Sequence, residues 1–507
     1  MAGVGFELKK LFRKRGGYVN TLKAYGVTAV VTEGPMVLSI LMLFAQRYLL
    51  RLWGAVYATQ EIYLITTTYI MIFSLILSNT FLMFISRFIS DCIYEDRKEQ
   101  ILPSFFSIAC YLLVLGALTG GIYILFLDIS PLHKLLNFVQ FEVMLILWAQ
   151  MSYLSAIKKY MKILTGFLLA ALTTIGITLL GMVLGMAPLT AAFLGSTLGY
   201  LVLLVLYLQE MISFYPAGRM SLVILFPYLD KYKSLIGVGF FTALGLFGHN
   251  FVFWFSEYRI DVIDHMVYCM KYDVPCFYAS LTIIPFLVIF VVALEVNFYK
   301  AYRKYFDTIQ YGGTLSDIQT ENKAMGKTLF RELAHVFELQ FFIEVLCITF
   351  LGNFLQSIGF DREMLIVFRY LCVGYCFYVL VKSLIILFLY FDDRQKALIL
   401  ALLFAVLSIG LAIATLPLGI EAYGLGFLGA GVITSVTGLV MLYHFLGRLE
   451  YQVFCRQPLF YEEPNGIFKQ IADYVEKKDL RVFQVHEEKR RKQEKKARRS
   501  SSKKAPA

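Results

Sequence analysis

The stretch VTEGPMVLSI, residues 31–40, sets Glu33, Gly34 and Pro35 in an otherwise apolar run. A charge facing lipid costs a few kcal/mol, so a carboxylate there should face water, a cation or a protein interior. Pro35 lacks a backbone N–H and its ring clashes with the preceding turn, so Gly34-Pro35 predicts a bend with loosened carbonyls. Further polar groups interrupt other apolar runs. Asn79 follows Thr66–Thr68, Ser74 and Ser78; His249 and Asn250 stand in LGLFGHNFVFW; Glu295, Glu344 and Lys382 lie further on. His249 reads either as a proton-responsive group or as an interfacial histidine capped by water. Lys382, a cation in mid-run, needs a carboxylate or a hydrated cavity, and Glu344 is a reasonable partner. Arg87 and Asp91 are one helical turn apart and can pair at the cytoplasmic boundary of the membrane.

These residue types serve transport better than catalysis. The chain has no Walker A motif, no His-Glu-x-x-His and no Gly-x-Ser-x-Gly. Asp392-Asp393 in YFDDRQKA has no second acidic cluster beside it and reads as a short loop. Neither enzymatic activity nor a cofactor is expected. None of the eight cysteines has zinc-site spacing, so no metal is expected either. Cys269 and Cys276 share one sizeable outer loop, where they would either form a disulfide or remain thiols.

The elements that position these residues are membrane helices. Of the 507 residues 59% are hydrophobic and only 16% charged, with mean hydropathy +0.67. Globular domains carry about 25% charged residues, so a soluble enzyme is excluded. Crossing roughly 30 Å of hydrocarbon takes about 20 mostly apolar residues. Such runs fall at 24–50, 61–86, 102–127, 137–157, 162–185 and 188–209, then at 234–256, 277–298, 332–356, 364–390, 397–417 and 422–446. The predicted fold is therefore an all-α polytopic membrane protein with about twelve transmembrane helices. No cleavable signal is expected, because Met1–Lys23 lacks an apolar core followed by small residues. An even number of spans puts both termini on one side. Most of the 47 Lys and Arg fall on that side too, which predicts cytoplasmic termini. The net charge of +11 then reflects topology rather than nucleic-acid binding.

The organisation reads as six plus six: a cytoplasmic N-terminal segment 1–23, a first bundle 24–209, a cytoplasmic linker 210–233, a second bundle 234–446 and a basic tail 447–507. Phe-Leu-Gly recurs at Phe193–Gly195 and Phe427–Gly429, near the end of each half, as parallel repeats would have it. Gly181 with Gly185, and Gly195 with Gly199, are spaced to share a helix face for close packing. The segment YKAYRKYF at Tyr299 suits an interfacial helix. The tail is charged, with its end expected to be disordered, and is read as touching anionic lipid rather than nucleic acid.

MAGVGFELKKLF at 1–12, AYG at 24–26, GPMVLSI at 34–40, SRFISDCIYE at 86–95 and LEYQVFCRQP at 449–458 together resemble the PelG family of exopolysaccharide exporters. The resemblance implies two six-helix bundles around a central cavity lined by spans 1, 2, 7 and 8, in the multidrug/oligosaccharidyl-lipid/polysaccharide exporter superfamily. It also implies export of a Pel-like amino-sugar polymer across the bacterial cytoplasmic membrane, with a cytoplasmic glycosyltransferase and small membrane proteins as partners. Rival readings are a lipid-linked oligosaccharide flippase, a cation-coupled drug antiporter and a membrane scaffold for a synthase.

Overall fold

A computed structural model describes residues 34, 37–157, 159–263, 265–454, 466–475 and 477–478. Glu33 and Pro35 lie outside the described residues, and the expected Gly34-Pro35 bend with them. Among the described residues, eleven helices are long and apolar enough to cross a membrane. They are α2 Tyr57–Tyr94, α3 Lys98–Phe126, α4 Pro131–Ile157, α5 Met161–Val183, α6 Pro188–Phe214, α7 Phe226–Phe253, α8 Met270–Val292, α10 Leu315–Ser357, α11 Arg362–Tyr390, α12 Arg394–Leu418 and α13 Ile420–Leu446. Helix α1 covers 37–52, the described part of the first predicted span, and α9 is the short helix Tyr299–Gln310. All eleven coincide with runs predicted from hydropathy.

The helices form two lobes, α1–α6 and α7–α13. Each lobe ends on a helix packed against the two before it, α6 on α5 and α4, and α13 on α12 and α11. The repeated tripeptide occupies these last helices. Phe193 is buried against Tyr63 of α2, ring centroids 5.5 Å apart, and Phe427 is buried against His249 of α7 at 4.2 Å.

Lipid tails are as apolar as leucine, so close backbone approach, rather than hydrophobic burial, holds such helices together. A Cβ at Gly195 would fall 2.1 Å from Thr178 Oγ1, and one at Gly199 would fall 1.9 Å from Thr174 Oγ1. The second glycine pair behaves differently. Gly181 packs near Ala191, whereas Gly185 has φ +82° and ends α5 with a left-handed turn, so the two do not form one packing face.

Helix α9 is amphipathic as expected. Tyr305 is fully buried, Tyr302 stacks edge-on to Tyr390 at 4.7 Å, and Lys304 pairs with Glu321 at 2.6 Å. Helices α6 and α7 both extend into the expected linker, leaving 215–225 between them. Within the tail, residues 467–475 are helical, with Lys469 N–H donating to Asp230 Oδ2 at 2.8 Å.

Several helices depart from regular α geometry. Helix α8 breaks at Thr282–Ile283 ahead of Pro285, and π-helical turns interrupt α3 at Ala117–Gly121 and α10 at Cys347–Leu351. Glu295 sits in a third π turn, Ala293–Phe298, just past α8. Such turns concentrate at functional sites.

Candidate functional site

Helix α2 belongs to both lobes. Its Phe84 and Phe88 join the first core, and its Ile65 and Tyr69 join the second. The partner across the boundary is α7, and partway along the two helices their backbones touch. Asn79 Nδ2 donates to Gly239 O at 2.7 Å, and a Cβ at Gly239 would lie 2.1 Å from Asn79 O. Only glycine allows this approach, and the amide supplies the polar tie that an apolar medium rewards.

One end of the boundary is closed by aromatic rings. Tyr69 stacks on Trp254 at 4.7 Å and 9°, and on Tyr123 at 6.4 Å and 17°. Phe73 stacks on Phe251 at 5.4 Å and 8°. Over them lies a two-stranded antiparallel hairpin, β1 Ile260–Ile263 and β2 Met266–Tyr268, from the α7–α8 connection. The hairpin belongs to the second lobe yet bonds to the first. Tyr69 OH donates to Val267 O, Thr66 Oγ1 contacts Met266 S at 3.5 Å, Tyr268 OH donates to Glu61 at 2.7 Å, and Tyr123 OH donates to His265 O at 2.9 Å. Phe44 of α1 meets Phe277 of α8 edge-on at 6.1 Å near the same end.

The opposite end is closed by charge. Arg87 pairs with Asp91 at 3.1 Å, the ion pair expected from their spacing. The fold adds partners from the second lobe. Tyr232 OH donates to Asp91 Oδ2 at 3.0 Å, and Asp392 bridges Arg87 at 3.6 Å and Arg394 at 3.5 Å. Arg394 Nη1 also donates to Lys231 O at 2.9 Å, and both guanidinium groups lie over the Tyr232 ring, at 5.3 and 4.8 Å. Tyr232 marks a kink in α7, with φ −125° and ψ 23°. Asp392-Asp393 is thus part of a latch: Asp392 joins the network and Asp393 caps α12 through Lys396 N–H at 3.1 Å.

The remaining candidates sit inside the second lobe. His249 is fully buried, with Nδ1 2.7 Å from Tyr272 OH, so it is not the water-capped interfacial histidine of the sequence reading. Asn250 donates to Asp273 Oδ1 at 2.8 Å, while Trp254 Nε1 and Cys269 N–H both donate to Asp273 Oδ2 at 2.9 Å. Asn250 and Asp273 therefore fix Trp254 for its stack on Tyr69. Glu344 is held by neutral groups, Thr282 Oγ1 at 2.8 Å and Gln340 Nε2 at 2.6 Å, and Lys382 is half-buried on α11.

Cys269 and Cys276 are free thiols. The Cys269 sulfur faces Ser256 and the Cys276 sulfur faces Tyr375 and Asn250, so the contemplated disulfide does not form. Burial pushes the Cys269 thiol up to about 11, which keeps it neutral at physiological pH.

Sequence reasoning missed Tyr69, Trp254 and Asp273. The hairpin had a signal, since IDVI and MVY flank a short polar turn with strand-like residues.

Two six-helix lobes thus meet along α2 and α7, with an aromatic cluster at one end of the boundary and a charged cluster at the other. Solved structures agree on the fold. An outward-facing multidrug resistance MATE family transporter of the MOP superfamily matches with TM-score 0.61 at 14% identity, over 89% of this chain and 99% of that one. A MATE in the bent conformation matches with TM-score 0.57 at 14% identity, over 89% and 99%. A MOP superfamily transporter from Pyrococcus furiosus, whose description notes a reversed polarity of its binding pocket, matches with TM-score 0.56 at 14% identity, over 84% and 96%. No curated protein matches the chain. The family model PelG, "Putative exopolysaccharide Exporter (EPS-E)", matches residues 1–454, and the chain belongs to that family. It is a multi-pass membrane protein of a transporter family and fold, and its family points to a polysaccharide-type substrate.

Proposed function

We propose that this protein exports a Pel-like amino-sugar polymer across the bacterial cytoplasmic membrane, taking the chain from a cytoplasmic glycosyltransferase assembled with small membrane proteins. The observation that carries the reading is the double closure of the α2–α7 boundary, aromatic at one end and ionic at the other. Separating this end exchanges the bonds of the Tyr69, Tyr123 and Tyr268 hydroxyls for others, and the freed ring faces suit the C–H surfaces of sugar rings. The ionic latch, half-exposed, separates into water at little cost. The hairpin end faces outward and both termini lie in the cytoplasm, in keeping with the placement of lysine and arginine. The basic tail then meets anionic lipid of the inner leaflet.

The test is extracellular against intracellular polymer after the gene is deleted and restored, in a host carrying the associated glycosyltransferase. Loss of extracellular polymer, recovered with the intact membrane region, supports export. Unchanged secretion contradicts it.

A further inference from the structure

Helix α10 stands at the rim of the second lobe, packed on α8, α9 and α11. Leu329, Leu333, Val336, Gln340 and Glu344 recur every three or four residues, so they share one face, and all five are buried. Arg331, His335, Glu338, Phe342 and Val345 share the opposite face, and all five are exposed.

Glu338 is the residue of that face that a membrane makes costly. A Cβ at Gly326 would lie 3.8 Å from Leu446 Cδ1, so Gly326 is level with the end of α13. By helix rise Glu338 stands about 18 Å further along α10. A second ruler agrees. Phe337, next to Glu338 in sequence, packs on Phe377 with ring centroids 5.6 Å apart. Phe377 in turn lies about 20 Å from the end of α11 at Tyr390. In the other direction α10 runs on for about 28 Å to Ser357. The hydrocarbon layer is roughly 30 Å thick, so a carboxylate this far from both ends lies within it. Among the described residues Glu338 has no hydrogen-bond or ion-pair partner. Its short side chain does not reach the headgroups from there, and a charge facing lipid is costly.

We propose that this face of α10 is the docking site for a membrane helix of another protein, one that sets a lysine or arginine opposite Glu338. Lipid gives apolar helices no hydrophobic reason to associate, so packing and polar contacts decide which ones do. The two opposite charges compensate one another where each alone would be costly. Phe342 and Val345, one and two turns along from Glu338, offer the incoming helix side chains to pack on. A second copy of this chain docked through α10 about a two-fold axis would set Glu338 against Glu338, and like charges in an apolar medium repel strongly. The small membrane proteins of the proposed export assembly are where such a helix is expected, and in naming them the inference rests on that reading.

The test places benzoyl-phenylalanine, a photoreactive side chain, at Phe342 of the full-length chain in its own cells, and reads the mass of the adduct formed on illumination. The expected adduct joins α10 to a different membrane protein, at a peptide within an apolar run that contains a lysine or arginine. Glu338→Lys should cut the yield severalfold, and Glu338→Gln, which keeps the side chain's shape, should cut it less. Replacing the partner's basic residue with glutamate should restore the yield in the Glu338→Lys chain, a recovery that a misfolded chain would not show. Adducts with lipid alone, or with a second copy of this chain, would overturn the proposal. So would a yield that Glu338→Lys leaves unchanged. The adduct is read without polymer, so a failed export assay leaves this result standing and a missing adduct leaves export standing.

Discussion

The indole of Trp254 lies 4.7 Å from the ring of Tyr69 and 9° from parallel to it, across the boundary between the two lobes. Two carboxylate bonds tie the tryptophan's own lobe together behind it, Trp254 Nε1 and Asn250 Nδ2 both donating to Asp273. An offset-stacked pair adds about 0.5–1.5 kcal/mol beyond the area it buries. Trp254→Ala should therefore loosen the hairpin end. Thr66→Cys, a reporter that faces Met266 of the hairpin and leaves the Tyr69 ring in place, should gain reactivity toward a membrane-impermeant thiol reagent at least severalfold in the Trp254→Ala background, whereas Trp254→Phe should keep most of the protection.

Gly239 is expected to be intolerant of any side chain. With a Cβ placed 2.1 Å from the Asn79 carbonyl, Gly239→Ala must push α2 and α7 apart. Overpacking of this kind costs about 1–3 kcal/mol. Asn79→Ala removes only the amide tie, and interhelical hydrogen bonds in membranes average about 0.6 kcal/mol. Melting temperatures in nanodiscs should fall clearly for the glycine variant and only slightly for the asparagine variant.

The latch at the charged end should be weak and sensitive to salt. Arg87 and Asp392 have side chains 37% and 50% exposed, the range in which an ion pair is worth about 0–1 kcal/mol. A double-mutant cycle on Arg87→Gln and Asp392→Asn should give a coupling in that range that shrinks with added salt. Asp91 is less exposed and bonds both Arg87 and Tyr232, so Asp91→Ala should cost more than either.

Cys269 and Cys276 should behave as two buried thiols. Reductant should leave the melting temperature unchanged. The folded protein should not take up maleimide at Cys269 at pH 7 to 8, because burial holds its pKa near 11. Since the unfolded thiol ionises at lower pH than the folded one, this residue's contribution to stability should decline as pH rises toward 11. Thiol counting under native and denaturing conditions checks both points.

The spans were legible because hydropathy over some 20 residues is a local property, and all eleven described helices coincide with their runs. The Arg87–Asp91 pair was legible for the same reason, since an i,i+4 spacing fixes contact within one helix. What joins the lobes was not. Tyr69 and Trp254 are far apart in sequence, as are Asp91 and Tyr232, and an aromatic residue in an apolar run carries no mark of which helix it will face. Glu344 was legible as a buried carboxylate. Its partners were not, because Thr282 reaches it only through the break in α8.

The central claim is that the lobes part at the hairpin end to release polymer, and cross-linking tests it most directly. Thr66 Oγ1 and Met266 S lie 3.5 Å apart on opposite lobes. The double variant Thr66→Cys with Met266→Cys, joined by a short bifunctional thiol reagent, should stop polymer appearing outside the cell. Each single variant given the same reagent should continue to export. Undiminished export through fully cross-linked protein would contradict the account.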